Sequence, residues 1–164
     1  MLLDALEECI DISCDNMPAL KGKTMCLTDN SGSAWGAIPS EYGTVTVAEI
    51  DNLSSVIAAR NSDEGYIGKF GDRLIVTPCK KRDGVLSQTK NLTNDRGDDV
   101  GGATENGIWI FFEKAIREKE MWDNIFIFSD MQAGHGGLYG THDGFRAYRQ
   151  QGLRATEIIS MWPS

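Results

Sequence analysis

Two short apolar runs constrain this chain more than any other feature: Thr24-Met25-Cys26-Leu27-Thr28 and Ile125-Phe126-Ile127-Phe128. Each reads as a buried strand. The second, extending from Asn124 to Asp130, is continuously apolar, as expected for a central strand covered by helices on both faces. Both runs lead to a carboxylate, Asp29 directly after the first and Asp130 after Ser129 in the second. Open α/β sheets bind their ligands at the carboxyl ends of their strands, so these acids mark the edge where a site is expected.

The intervening sequence alternates helical and strand patterns. Residues 2 to about 14 put Leu2, Leu6, Cys9 and Ile10 on one side and Asp4, Glu7, Glu8 and Asp11 elsewhere, which fits an amphipathic helix. Its apolar face can pack on this domain or on a preceding one. Asn16-Met17-Pro18 breaks that helix, and Lys21-Gly22-Lys23 leads into the first strand. A second helix is expected from about Thr44, its cap, to Arg60, with Val47, Ile50, Leu53, Val56 and Ile57 as its buried stripe. The Ala34 to Gly43 stretch between reads as a loop. Tyr66–Phe70 and Arg73–Thr77 are joined by Gly71-Asp72, a hairpin signal that puts an antiparallel strand on the sheet's edge. Asp83 to Leu92 predicts a short helix with Val85, Leu86 and Leu92 facing inward. Ile108, Phe111, Phe112, Ala115 and Ile116 give the clearest helical period in the chain. A helix over about 143–151, stopped by Gly152, and a strand from Thr156 to Met161 complete the series. The fold class that follows is α/β: a three-layer, doubly wound, Rossmann-like sheet, mostly parallel, with one antiparallel edge strand. The 164 residues suffice for one core, residues 1–20 forming a linking helix and 21–164 the domain proper.

Net charge of −8 and a pI near 4.7 repel phosphate backbones, which argues against broad nucleic-acid binding by this segment. The single basic cluster, Lys80-Lys81-Arg82, reads as a solvated loop. Cys9, Cys14, Cys26 and Cys79 form no C-x-x-C pair and have no nearby histidine, so free, mostly buried thiols are expected instead of zinc. No run is long enough to cross a membrane, and the N-terminus lacks a secretion signal's pattern; a cytoplasmic location is the expectation.

The candidate site is Asp29-Asn30-Ser31-Gly32-Ser33, where the first strand gives way to a turn. Alternate oxygen-bearing side chains on an extended loop can converge, and two hydroxyls with one carboxylate make a hard site suited to Mg²⁺, Mn²⁺ or Ca²⁺. Thr104, after Gly101-Gly102-Ala103, and Asp130 add a hydroxyl and a carboxylate from separate loops on the same edge. Trp35 is expected to anchor the following loop, and with Glu105 and His135 it is placed on the rim; Asp98 and Asp99 read as solvated loop acids. The residues Asp29-x-Ser31-x-Ser33, Thr104 and Ser129-Asp130 resemble the metal-ion-dependent adhesion site of von Willebrand factor type A domains. Leu3-Asp4-Ala5-Leu6, Lys21-Gly22-Lys23, Gly101-Gly102-Ala103-Thr104 and Phe128-Ser129-Asp130 make the chain look most like the C-terminal A domain of Ro autoantigen (TROVE-domain) proteins. Relatives often carry a methionine after the second serine, where this chain has Ala34-Trp35.

The resemblance implies that Ser31 and Ser33 bind the metal directly, that Thr104 does so directly or through water, and that Asp29 and Asp130 hold ordered waters. It implies a partner that completes the metal's shell with a carboxylate, and small noncoding RNA bound by a ring of helical repeats outside this segment. No catalytic residue is expected, and the domain is read as a binding module and not an enzyme. The alternative is a metal-dependent phosphohydrolase or phosphotransferase on a similar sheet. Against it, no D-x-D follows Asp29, no lysine is expected on the loops of that edge, and neither G-x-x-x-x-G-K-[ST] nor G-x-S-x-G occurs.

Overall fold

A computed structural model describes residues 2–40, 43–94, 100–102, 107–129 and 158–160; of residues 3, 37–40, 107 and 158–160 it describes the backbone alone. The chain order is α1 (Leu2–Asp15), β1 (Leu20–Asp29), a 3₁₀ turn (Ser33–Trp35), β2 (Ala37–Ser40), β3 (Gly43–Thr46) and α2 (Val47–Arg60). β4 (Ser62–Phe70), β5 (Leu74–Pro78), α3 (Val85–Asn94), α4 (Gly107–Glu118), β6 (Asn124–Phe128) and β7 (Ile158–Ser160) follow.

Among the described residues five strands form one sheet in the order β5-β4-β1-β6-β7. β5 alone runs antiparallel, through the hairpin expected at Gly71-Asp72, and the other neighbours are parallel. β6, the second apolar run, lies inside the sheet between β1 and β7, and β1 stands at the middle of the five described strands. Both runs are buried, so apolarity does not rank them; the order of the strands does, because β1 has β4 and β5 on one side and β6 and β7 on the other.

Alternation along β1 divides the core. Met25 and Leu27 join Phe70, Phe111, Phe112, Ala115, Trp122 and Ile125 beneath α4, whose five expected apolar positions all pack there. Cys26 joins Val56, Ala59, Ile67, Val85, Phe126 and Phe128 on the opposite face, beneath α2 and α3. The four cysteines are free thiols as expected; Cys9 is exposed, and burial pushes the Cys26 thiol well above its ordinary pKa.

α2 departs from its expected form at its start and in the face it buries. It begins at Val47, capped by Thr46: Thr46 Oγ1 accepts from Glu49 N at 3.1 Å, and Glu49 Oε2 accepts from Thr46 N at 2.7 Å. Thr44 lies instead in β3, which pairs with β2 as a small antiparallel sheet where a loop was expected. Pro39 and the flanking Gly36 and Gly43 disguise that pair, since proline and glycine ordinarily interrupt strands. Of the stripe read from the sequence, only Val56 is buried; the buried residues are Ala48, Asp51, Asn52, Ser55, Val56 and Ala59. Small and polar groups face the sheet because the part of β1 beneath them is itself polar, with Thr24, Thr28 and Asn30 fully buried.

α3 starts two residues later than expected because α1 supplies its N-terminal partners. Asp11 Oδ1 accepts from Val85 N at 3.1 Å, and Glu7 Oε1 accepts from Ser87 N at 2.9 Å, satisfying N–H groups that a helix leaves open at its start. Arg60 adds a 3.5 Å ion pair to Asp11 and donates to Asp83 O at 2.8 Å. α1 thus turns Glu7 and Asp11 inward with Ile10 and Cys14, while Leu2, Leu6 and Ile12 stay exposed. Among the described residues no helix is long and apolar enough to cross a membrane.

Candidate functional site

The parallel register sets the ends of three strands level. Thr28 lies beside Lys69 of β4 and Phe128 of β6, and Asp29 beside Phe70. The chain leaves β1 for β4 on one side, while β6 and β7 lie on the other, so the end of β1 is the place where the winding reverses.

Asp29 is fully buried there. Its Oδ1 accepts from Ser31 N at 3.0 Å, which closes the turn, and its Oδ2 accepts from Ser129 Oγ at 3.0 Å, which ties the turn to the end of β6. The carboxylate is a brace between two strand ends. Ser31 Oγ and Ser33 Oγ stand 3.3 Å apart, the first in a buried residue and the second in an exposed one. Trp35 is half-buried and donates from Nε1 to Asn30 O at 3.1 Å, so its indole anchors the loop after the turn.

The segment 100–102 is held against this turn from both sides. Gly32 N donates to Gly102 O at 3.0 Å, Gly102 N donates to Asp72 Oδ2 at 3.0 Å, and Arg73 N donates to Val100 O at 3.0 Å. Gly101 has φ +85°, and a Cβ there would collide with the Asp72 carboxylate; only glycine fits. The strand-end turn, the hairpin turn and the 100–102 loop therefore meet at one edge. Thr104, two residues beyond Gly102, Asp130, next after Ser129, and Glu105 and His135 on the expected rim lie outside the described residues, as do Asp98 and Asp99 and the helix expected over 143–151.

Asn30 and Asn52 were missed by the sequence reading. Asn30 is fully buried, and its carboxamide pairs reciprocally with that of Asn52 on α2: Asn30 Nδ2 donates to Asn52 Oδ1 at 2.9 Å, and Asn52 Nδ2 donates to Asn30 Oδ1 at 3.1 Å. Thr28 Oγ1 donates to the same Asn52 Oδ1 at 2.9 Å. The available signal was a carboxamide midway between Asp29 and Ser31, directly after an apolar strand where a side chain on the inward face must be buried.

No lysine was expected on the loops of this edge; Lys69 lies near it within strand β4 instead. It is buried at the end of β4, and its Nζ donates to Leu92 O at 3.2 Å in the last turn of α3. Strand alternation sends it to the α2 and α3 face, where it satisfies a helix-end carbonyl.

Among the described residues no three His, Cys, Asp or Glu side chains gather as a metal centre. The donors that do gather are hydroxyls over one braced carboxylate, a set whose hardness and low charge fit Mg²⁺, Mn²⁺ or Ca²⁺.

Fold and site together define the class: an open, doubly wound α/β domain with an oxygen-rich turn at the point where its winding reverses. Among solved structures the chain is similar to the Ro (RSR) protein of Deinococcus radiodurans, with a TM-score of 0.66 and 18% sequence identity. The match covers 96% of this chain and 30% of that one, and at this identity the likeness is one of fold. The sequence matches no protein-family model and no curated protein. The Ro-like, A-domain resemblance read from the sequence is thus borne out in its fold.

Proposed function

We propose that this domain is a cation-dependent binding module, in which Ser31 and Ser33, backed by Asp29 and completed by Thr104 and Asp130, hold Mg²⁺ or a similar divalent ion. Bound there through neutral hydroxyls, the ion would keep most of its charge and attract a carboxylate from a protein or small-molecule partner. The observation that carries this reading is the pair of serine hydroxyls 3.3 Å apart above a fully buried Asp29 whose two oxygens are tied to Ser31 and Ser129. A carboxylate so engaged is a support for the turn. That argues for binding over phosphoryl transfer from Asp29, because a nucleophile must be free to leave its partners. Lys69, directed to α3, gives the phosphotransferase alternative no support either.

The Ro-like fold supports a wider proposal: the domain works within a cytoplasmic protein that handles small noncoding RNA through other parts of its chain. The charge of −8 agrees with RNA contact lying elsewhere. Titration with short RNA at physiological salt should give no submicromolar binding, and such binding would remove this part of the proposal.

The decisive measurement is calorimetric titration with Mn²⁺ and Mg²⁺ of the wild type, Ser31→Ala and Ser33→Ala. Loss of the alcohols should weaken binding by about tenfold or more while the thermal midpoint without metal stays close to wild type. Equal affinity in all three proteins would displace the site from this turn. Turnover of a simple phosphate ester, abolished by Asp29→Asn, would promote the enzyme reading.

A further inference from the structure

A layer of buried polar side chains lies between β1 and α2, directly beneath the turn. Buried polar groups are unfavourable unless fully bonded, and an apolar layer would serve packing better. This layer ends on Asn30, every polar group of which is engaged. Its N–H donates to Phe70 O at 2.9 Å, its C=O accepts from Trp35 Nε1, and its carboxamide meets Asn52. Three elements, β4, the 3₁₀ turn and α2, therefore fix one residue.

Asn52 is the centre of that arrangement. Its Oδ1 accepts from Thr28 Oγ1 and from Asn30 Nδ2, while its Nδ2 donates to Asn30 Oδ1 and, at 3.5 Å, to Thr93 Oγ1 of α3. Thr28 thereby fixes the orientation of the Asn52 amide, and Asn52 fixes that of Asn30. Rotation of the Asn30 backbone would carry Ser31 and Ser33 together out of place, breaking the bond from Ser31 N to Asp29 Oδ1 and that from Gly32 N to Gly102 O.

We propose that Asn52 is the positioning residue of the Asp29–Ser33 turn, holding Asn30 so that Ser31 and Ser33 present their hydroxyls together; its role in ligand capture rests on the cation-binding reading above. The contact extends through Thr93 to α3, so the site is set from the helical layer as well as from the sheet.

The test uses Asn52→Ala together with Thr28→Val, which removes the Thr28 hydroxyl that donates to Asn52 Oδ1 and accepts from Asn30 Nδ2 while keeping the side chain's shape, and Thr28→Ser, which restores it. Two quantities are read: amide hydrogen exchange residue by residue, and Mn²⁺ affinity well below the unfolding midpoint. Asn52→Ala and Thr28→Val should speed exchange at the N–H groups of Asn30, Ser31 and Gly32 about tenfold, with Ile125 to Phe128 unchanged, and weaken Mn²⁺ binding about tenfold. Thr28→Ser should restore both. Exchange that rises equally across the sheet, or affinity that stays at wild-type level, overturns the positioning role. Should the wild type bind no Mn²⁺, the cation reading falls by itself; exchange confined to residues 30–32 then still supports Asn52 as the lock on the turn, and unaltered exchange there overturns it.

Discussion

Both faces of this sheet carry an apolar cluster, but the face beneath α2 adds a buried polar layer at the strand ends. Beneath α4 the contacts are aromatic and aliphatic: Phe111 meets Phe112 with ring centroids 5.2 Å apart and Trp122 at 5.9 Å, and Trp122 meets Tyr66 edge-on at 5.3 Å. Beneath the start of α2 the contacts are carboxamides and a hydroxyl within 3.1 Å of one another. Apolar packing is non-directional and tolerates small shifts, whereas a reciprocal amide pair accepts one geometry. The directional face is the one that carries the turn.

The largest effect expected from breaking this contrast is on the aromatic face. Phe111→Ala removes a ring that is 1% exposed and central to the cluster, and should destabilise the domain by about 3–5 kcal/mol. Urea unfolding monitored by far-UV circular dichroism reads it. A loss below about 1.5 kcal/mol would mean that the cluster relaxes around the void and that the faces differ less than their chemistry suggests. Tryptophan fluorescence adds a local reading, because Trp122 packs against Phe111 and the fold's response should appear there.

On the polar face Asn30→Ala should have a smaller effect on stability, about 1–3 kcal/mol, by leaving the Asn52 amide partly unpaired in a buried position. The double variant Asn30→Ala, Asn52→Ala isolates their coupling. Because each single change already removes the pair, the double should fall short of the sum by about 0.5 kcal/mol or more. Strict additivity would show that the two amides stabilise the fold independently and are not a unit.

The same contrast explains what could be read from the sequence. Helix α4 was legible because Ile108, Phe111, Phe112, Ala115 and Ile116 repeat at helical spacing and bury what they display. The hairpin at Gly71-Asp72 and the acid-ended first strand were legible for similar reasons, each being local. α2 misled because its apolar residues Val47, Ile50, Leu53 and Ile57 are only partly buried, while Asp51, Asn52 and Ser55 lie inside. Periodicity assumes that the buried face is apolar, and it fails where a site requires a polar layer. The Asp29, Ser31 and Ser33 turn announced itself by composition, but its support by Asn30, Asn52 and Ser129 depends on residues from 22 to 100 positions apart that no spacing reveals. β1 and β6 could not be ranked because a strand's place in a sheet depends on connections made elsewhere in the chain.

The smallest effect concerns α1, which joins the domain by a third means. Glu7 accepts from Ser87 N at 2.9 Å and from Ser87 Oγ at 3.2 Å, and Asp11 accepts from Val85 N, so two acids one helical turn apart cap a helix some 75 residues onward. Glu7→Ala should lower stability by about 1 kcal/mol, the usual effect of removing an N-terminal cap, whereas Glu8→Ala, an exposed neighbour, should change it by no more than about 0.5 kcal/mol. The unfolding midpoints of these two variants, measured side by side, decide whether α1 is bound into the domain or only attached to it. If both equal wild type, the Glu7 cap contributes nothing and α1 is held by Asp11, with its partners Val85 N and Arg60, together with Ile10 and Cys14. If Glu7→Ala alone is weakened, α3 owes its N-terminus to α1. Thr93, near the other end of α3, faces Asn52, so loosening of that helix should then carry to the Asp29–Ser33 turn as faster exchange at Ser31.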